Sequence, residues 1–178
     1  FKSIEIAGPG FLNICFRISF WKGYLTKVIK LDSKYGSNRT FKKKYNVEFV
    51  SANPTGPLHV GHCRGAVLGD TLSNLLSFNG NKVTKEYYVN DYGGQIIIFV
   101  TSVYYRILEI IENKPFPNNK DLYPGDYIID IAKRIIKNQS IKNFNDFEKI
   151  YKKLTSESLK HSMHLIIDNL NLLGVKHN

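Results

Sequence analysis

The sequence predicts an α/β fold built on a parallel sheet, and three observations predict it. Residues 46–51 form a short apolar run. Residues 59–78 repeat apolar side chains at helical spacing, through Val60, Val67, Leu68, Leu72, Leu75 and Phe78. Residues 82–89 alternate, with Val83, Lys85, Tyr87 and Val89 on one face. Strand, helix and strand in that order make a β-α-β unit, which implies parallel strands and a right-handed crossover.

The elements follow in order. Residues 4–7 and 11–20 read as two strands joined by Gly8-Pro9-Gly10. Residues 21–31 read as a short helix. Residues 32–45 are a polar connection crowded by Lys34, Arg39, Lys42, Lys43 and Lys44, and read as a solvated loop. The strand at 46–51 leads into Asn53-Pro54-Thr55-Gly56-Pro57, which is turn chemistry. Asn79-Gly80 stops the following helix. After the second strand, residues 90–94 form a loop and residues 95–111 a long helix. That helix is apolar on most faces, which reads as burial. Prolines at 115 and 117 break the pattern. Residues 127–137 form a helix with a stripe of Ile128, Ile131, Ala132, Ile135 and Ile136. Residues 146–173 are helical in one or two pieces, and Gly174 ends them. The second half is mainly helical, without an internal repeat.

Composition sets bounds. A chain of 178 residues holds one ordinary domain or pieces of two. At 43% hydrophobic it is a folding chain, not a disordered one. It shows no run judged long enough to span a membrane and no signal peptide at its start. Two isolated cysteines, Cys15 and Cys63, argue against a disulfide scaffold and for a reducing compartment. The first residue is Phe1 and Met163 is the single methionine, so the chain reads as a fragment. A formal charge of +10 suits a nucleic-acid partner. The abundance of Lys, Asn and Ile throughout gives a compositional reading of the same number.

Two stretches carry candidate chemistry. His59 and His62 fall three apart at the start of a helix that follows a strand, so they share one face. A helix N-terminus offers unpaired N–H groups and the positive dipole end, a seat for phosphate. Gly61 leaves room for a flat ring, and Gly65, Ala66 and Gly69 keep one helix face small for close packing on a sheet. The alternatives are a metal pair, which wants further ligands at suitable spacing, or surface residues without function. Glu48 is the other candidate. It sits among Val47, Phe49 and Val50 in a strand expected to be covered on both faces. An unpaired carboxylate there is costly, so it must meet a cation, a donor or a ligand.

Residues 47–62, VEFVSANPTGPLHVGH, contain the His-Val-Gly-His version of the class I aminoacyl-tRNA synthetase signature His-Ile-Gly-His. Their surroundings resemble arginyl-tRNA synthetases. Residues 86–96, EYYVNDYGGQI, and 123–128, YPGDYI, resemble two further segments of that family, in order and at family spacing. The resemblance covers essentially the whole chain. It implies the first half of a class I synthetase Rossmann-type parallel sheet over residues 46–112. The end of a small, tRNA-contacting α+β N-terminal domain plus linker would precede it at 1–45. The start of a helical connective insertion would follow at 113–178.

The resemblance also implies an ATP-dependent ligase that makes arginyl-adenylate and transfers arginine to its tRNA. ATP would enter with Mg2+, the residues for it being Pro57, His59, Gly61 and His62, with the two histidines catalytic. Arginine would meet Glu48, Ser51, Asn53, His62, Asp91 and Gln95. No protein ligand for a metal stands out. By residue type alone, Asn53 could equally shape the turn before Pro54, and Asp91 could cap the next helix. The implied setting is cytoplasmic, without a membrane, in a family whose full-length members are monomeric. The family's second, lysine-rich active-site loop, the rest of its arginine site and its anticodon-binding domain are not in this sequence. The chain alone is therefore expected to be inactive. A non-catalytic RNA- or partner-binding product, or a nucleotidylyltransferase using the same two histidines, are the rival readings.

Overall fold

The computed structural model describes residues 1–38 and 42–178, so Arg39 of the basic connection lies outside the described residues. β1 (Ser3–Ala7) pairs antiparallel with β2 (Phe11–Cys15), Ile4 opposite Ile14. Gly8 and Gly10 turn the hairpin at φ of 60° and 96°, where a Cβ is disfavoured. The strand expected to reach residue 20 stops at Cys15, and α1 spans Ile18–Leu31. The aromatic rings account for the difference. Phe16, Phe20 and Tyr24 stack in succession at centroid distances of 4.3 and 6.1 Å, the i,i+4 spacing of a helix. A 3-10 turn, Asp32–Lys34, follows.

The β-α-β unit forms as expected, with shorter strands. β3 (Lys44–Glu48) pairs parallel with β4 (Lys82–Glu86), Lys44 opposite Lys82 and Glu48 opposite Glu86. β3 ends before residue 51 because Val50 and Ser51 both take left-handed backbone, φ 70° and 34°, which no ladder accommodates. Past its outer edge, β4 is met by the chain end: Asn178 N–H donates to the Lys85 carbonyl at 3.0 Å, and Lys85 N–H to Asn178 Oδ1 at 2.7 Å.

α2 (Val60–Phe78) crosses between the strands. It buries its small face, Ala66, Gly69 and Ser73, while Val60, Leu68, Leu72 and Leu75 are exposed. The apolar repeat that predicted the helix is thus not the face that packs on the sheet. Gly69 explains the choice: a Cβ there would overlap the ring of Phe49, so only glycine lets the helix approach this closely.

Three helices make the main core. α3 (Gly94–Glu112), α4 (Asp126–Asn138) and α5 (Phe147–Leu172) pack Phe99, Val103, Ile107, Ile131, Ile135 and Leu154 together out of water. The stripes predicted for residues 95–111 and 127–137 are the ones buried, and the last helix is one piece. One expectation is corrected: α3 is long and apolar enough to cross a membrane. Its buried side chains Ile96, Phe99, Val100, Val103 and Ile107 belong to the core it shares with α4 and α5. A second cluster, Phe49, Ala66, Ile166, Leu170 and Val175, ties β3 and α2 to the end of α5. Gly174 closes α5 at φ 72°.

Candidate functional site

The site grows from the end of β3. Two consecutive left-handed residues, one of them β-branched, are costly backbone. Local bonds hold them. Ser51 Oγ donates to Glu48 Oε1 at 2.7 Å and accepts from the Tyr88 N–H at 3.0 Å. Tyr87 hydroxyl donates to the Ala52 carbonyl at 2.6 Å. Glu48 is exposed at the carboxyl end of the sheet, which corrects the expectation of a strand covered on both faces. The sheet has two strands among the described residues. Its carboxylate is therefore not forced into an internal ion pair. It accepts from Ser51 and faces water.

Asn53 does more than shape a turn. Its Nδ2 donates to Gln95 Oε1 at 2.6 Å, and its Oδ1 accepts from Asn90 Nδ2 at 3.2 Å. Three amides from the turn, the loop after β4 and the start of α3 are thereby linked. Asp91 does not cap α3. Gly93 is the N-cap, and Asp91 is exposed at the rim of a separate cavity of about 430 Å³ with Pro54, Lys152 and Ser156.

His59 is the N-cap of α2 rather than a residue of its first turn. Its Nδ1 accepts from the N–H groups of Gly61 at 3.1 Å and His62 at 3.4 Å. His62 Nδ1 accepts from the His59 N–H at 3.4 Å, completing a reciprocal capping box. The rings stack with centroids 3.7 Å apart. The helix-terminal N–H groups of Gly61 and His62, expected to seat an anion, are thus taken by imidazole. A ring nitrogen that accepts carries no proton, so each neutral ring keeps its proton on Nε2. Two Nε2 donors remain for a ligand. Burial lowers the pKa of His62 below 6.5, and the neighbouring His59 lowers it further. Gly61 makes room for a ring of the protein itself: a Cβ there would stand 3.0 Å from His59 Cε1.

The pair opens on a cavity of about 470 Å³, together with Asn53, Thr55, Gly56, Pro57 and Gln95. Its far wall is Tyr123 and Tyr127. The Tyr127 hydroxyl donates to the Thr55 carbonyl at 3.0 Å, and burial pushes its pKa to about 12. So Pro57, His59, His62, Asn53 and Gln95 meet in one place, with Gly61 behind the His59 ring. Glu48 and Ser51 stand together at the end of β3, while Asp91 faces another hollow. Asn90, Tyr123 and Tyr127 were not assigned to the site from sequence. All three fall in the segments 86–96 and 123–128 that carry the resemblance, but their partners lie across long stretches of chain, so their contacts could not be read locally. Among the described residues no group of three or more His, Cys, Asp and Glu gathers as a metal cluster.

Comparison with known proteins gives a consistent picture. The family described as tRNA synthetases class I (R), catalytic domain, matches residues 24–173. An arginine–tRNA ligase of Pelagibacter ubique is 53% identical over 178 residues, covering 99% of this chain and 31% of the relative. One from a Wolbachia of Brugia malayi is 44% identical over 176 residues, covering 98% of this chain and 30% of the relative. The chain thus spans about 30% of the length of the curated relatives it matches. A crystal structure assigned to an arginyl-tRNA synthetase from Campylobacter jejuni superposes with a TM-score of 0.82 at 32% identity, covering 92% of this chain and 36% of that one. The arginyl-tRNA synthetase of Thermus thermophilus, at 20% identity and a TM-score of 0.51, shares the fold over 99% of this chain and 28% of its own. With the sheet, the signature turn and the family match in agreement, the chain belongs to the class I tRNA synthetases of the arginine type and carries part of their catalytic domain.

Proposed function

We propose that this chain supplies the ATP- and arginine-facing half of an arginine–tRNA ligase. In the first step an arginine carboxylate oxygen attacks the α-phosphorus of ATP, a P–O bond forms, and pyrophosphate leaves. In the second, a ribose hydroxyl at the tRNA end attacks the arginyl carbonyl, AMP leaves, and the hydroxyl proton is lost. Phosphoryl displacement needs alignment and donors aimed at developing charge more than covalent help. The observation that carries the reading is the histidine pair. Both Nδ1 atoms are spent on the helix cap, which fixes both Nε2–H groups as outward donors beside an open cavity.

Pro57 lines that cavity and Gly61 leaves space for the His59 ring, so ATP phosphates would meet His59 and His62. Mg2+ would arrive with ATP and spread phosphate charge. The exposed Glu48 carboxylate, oriented by Ser51, suits a guanidinium, which wants a planar acceptor. Asn53, braced by Gln95 and Asn90, offers an amide to the amino-acid end. Asp91 would join only from its own side of Pro54. The further division is residues 1–45 as an RNA-contacting end, 46–112 as half of the catalytic sheet and 113–178 as a connective insertion, in a cytoplasmic enzyme acting as a monomer.

A chimera tests this. The 178 residues replace the matching segment of the Pelagibacter ubique relative, and arginine-dependent exchange of pyrophosphate into ATP is measured with arginine-accepting tRNA present. Exchange is expected, with a fall of about 100- to 1,000-fold for His59→Ala or His62→Ala, the cost of one lost donor. Absent exchange in a folded chimera refutes the reading. The 178-residue chain alone is expected to leave tRNA uncharged, since class I catalysis draws on both halves of the sheet; charging by it refutes that.

A further inference from the structure

The signature turn between β3 and α2 has no regular structure of its own, yet two helices of the second half reach it. From α4, the Tyr127 hydroxyl donates to the Thr55 carbonyl at 3.0 Å. From α5, Asn169 Oδ1 accepts from the Leu58 N–H at 3.1 Å. These two bonds bracket Gly56 and Pro57 and end one residue before His59. The fit around Tyr127 is tight on both sides. A Cβ on Gly56 would stand 3.0 Å from its ring and hydroxyl, and a Cβ on Gly125 would stand 2.5 Å from its ring edge. Pro54, at the other end of the turn, is fully buried.

We propose that Tyr127 and Asn169 are positioning residues: they clamp the signature turn so that His59 caps α2 and both histidine Nε2 donors face the cavity. The helical second half then has a catalytic consequence beyond packing. It fixes the main chain at Thr55 and Leu58, and so the entry angle of the chain into His59. Main-chain bonds alone do not do this. The turn's internal bond is Thr55 N–H to the Asn53 carbonyl, upstream of Gly56. The consequence for catalysis rests on the proposed role of the histidines toward phosphate. The clamp itself does not.

The test reads the histidines directly, in the 178-residue chain, by NMR. Amide exchange of Gly61 and His62, whose N–H groups His59 caps, is measured with the titration of the His62 ring. Tyr127→Phe and Asn169→Leu each remove one clamp bond with little change in volume. Each is expected to speed exchange at Gly61 and His62 about fivefold, the effect of one lost hydrogen bond. The His62 pKa is expected to move up toward its ordinary 6.5 as the ring loosens. Asn169→Asp retains the acceptor for Leu58 N–H and is expected to behave as wild type. Tyr104→Phe is the control: it removes a similar tyrosine bond, to the Phe144 carbonyl at 2.9 Å in the helical core, and is expected to leave both readouts unmoved.

The reference amide is Val103, buried in α3. Equal acceleration at Val103 and Gly61 would mean general loosening and would overturn the proposal. So would unchanged Gly61, His62 and ring titration in both Tyr127→Phe and Asn169→Leu. ATP titration separates the two claims. If the clamp variants loosen the pair while the wild-type chimera described above, which supplies both halves of the sheet, takes up no ATP, the clamp stands and the phosphate role fails.

Discussion

Glycines that look alike in sequence behave differently once packed. Gly65 and Gly69 both lie inside α2, one turn apart, and both read as part of a small helix face. A Cβ on Gly65 meets nothing within 4 Å, whereas one on Gly69 overlaps the Phe49 ring. Gly65→Ala is therefore expected to stabilise the chain by about 0.5–1 kcal/mol through helix propensity. Gly69→Ala is expected to cost about 1–3 kcal/mol, because Phe49 is buried against Ala66, Val175 and the His177 ring and has nowhere to move. Urea denaturation of the two variants checks both signs; a stabilised Gly69→Ala would show that α2 can lift from the sheet. The same limit applies to the site. His59 and His62 were legible because their neighbours in sequence are their neighbours in space. Tyr127 was not, because its partner Thr55 lies 72 positions away.

At the level of elements, periodicity located every helix and paired the central strands, since amphipathic spacing is a local property. Element ends were less legible. β3 ends where Val50 and Ser51 enter left-handed backbone, and the bonds that hold them come from Tyr87 and Tyr88 just past the end of β4. The buried face of α2 was legible in its small residues Ala66 and Gly69, while its hydrophobic residues mark a helix without marking what it packs on. What seats α2 beside β4 is partly polar. Lys85 Nζ reaches Asp70 Oδ1 at 2.6 Å and Asn74 Oδ1 at 2.8 Å, with Lys85 and Asp70 mostly shielded from water. Asp70→Ala leaves that ammonium short of its charged partner and is expected to cost about 1.5–3 kcal/mol, the scale of a hydrogen bond to a charged group. Asp70→Ala with Lys85→Met is expected to cost less than the sum of the two singles. Strict additivity in a double-mutant cycle would show that the pair contributes nothing to the seating.

Across the whole molecule, the apolar surface is unevenly satisfied. α3, α4 and α5 close on one another, while β1, β2 and α1 keep Ile6, Phe11, Ile29 and Trp21 exposed. Stability is therefore concentrated in the helical half and at the sheet's junction with α5, and three histidines sit where that stability can be read. Burial is the largest cause lowering the pKa of His62, His161 and His177 below 6.5. For His177 the nearby Lys85 adds to the lowering, while its bond to the Phe49 carbonyl and the Asp70 charge oppose it. For His161, Arg134, His164 and Lys160 lower further and Glu157 opposes. The sign follows from linkage. Each ring binds its proton more weakly folded than unfolded, so the unfolded chain takes up protons first as pH falls through 6.5. The stabilisation of the neutral rings is complete above that pH and is lost progressively below it, through the lowered folded values. The urea midpoint is thus expected to fall between pH 7.5 and pH 5. His177→Gln, which keeps a polar side chain beside Phe49 but does not titrate, is expected to flatten the fall. A midpoint that rises on acidification would mean that the folded chain binds these protons more tightly than the unfolded one, the reverse of what burial among Phe49, Tyr87 and the end of α5 requires.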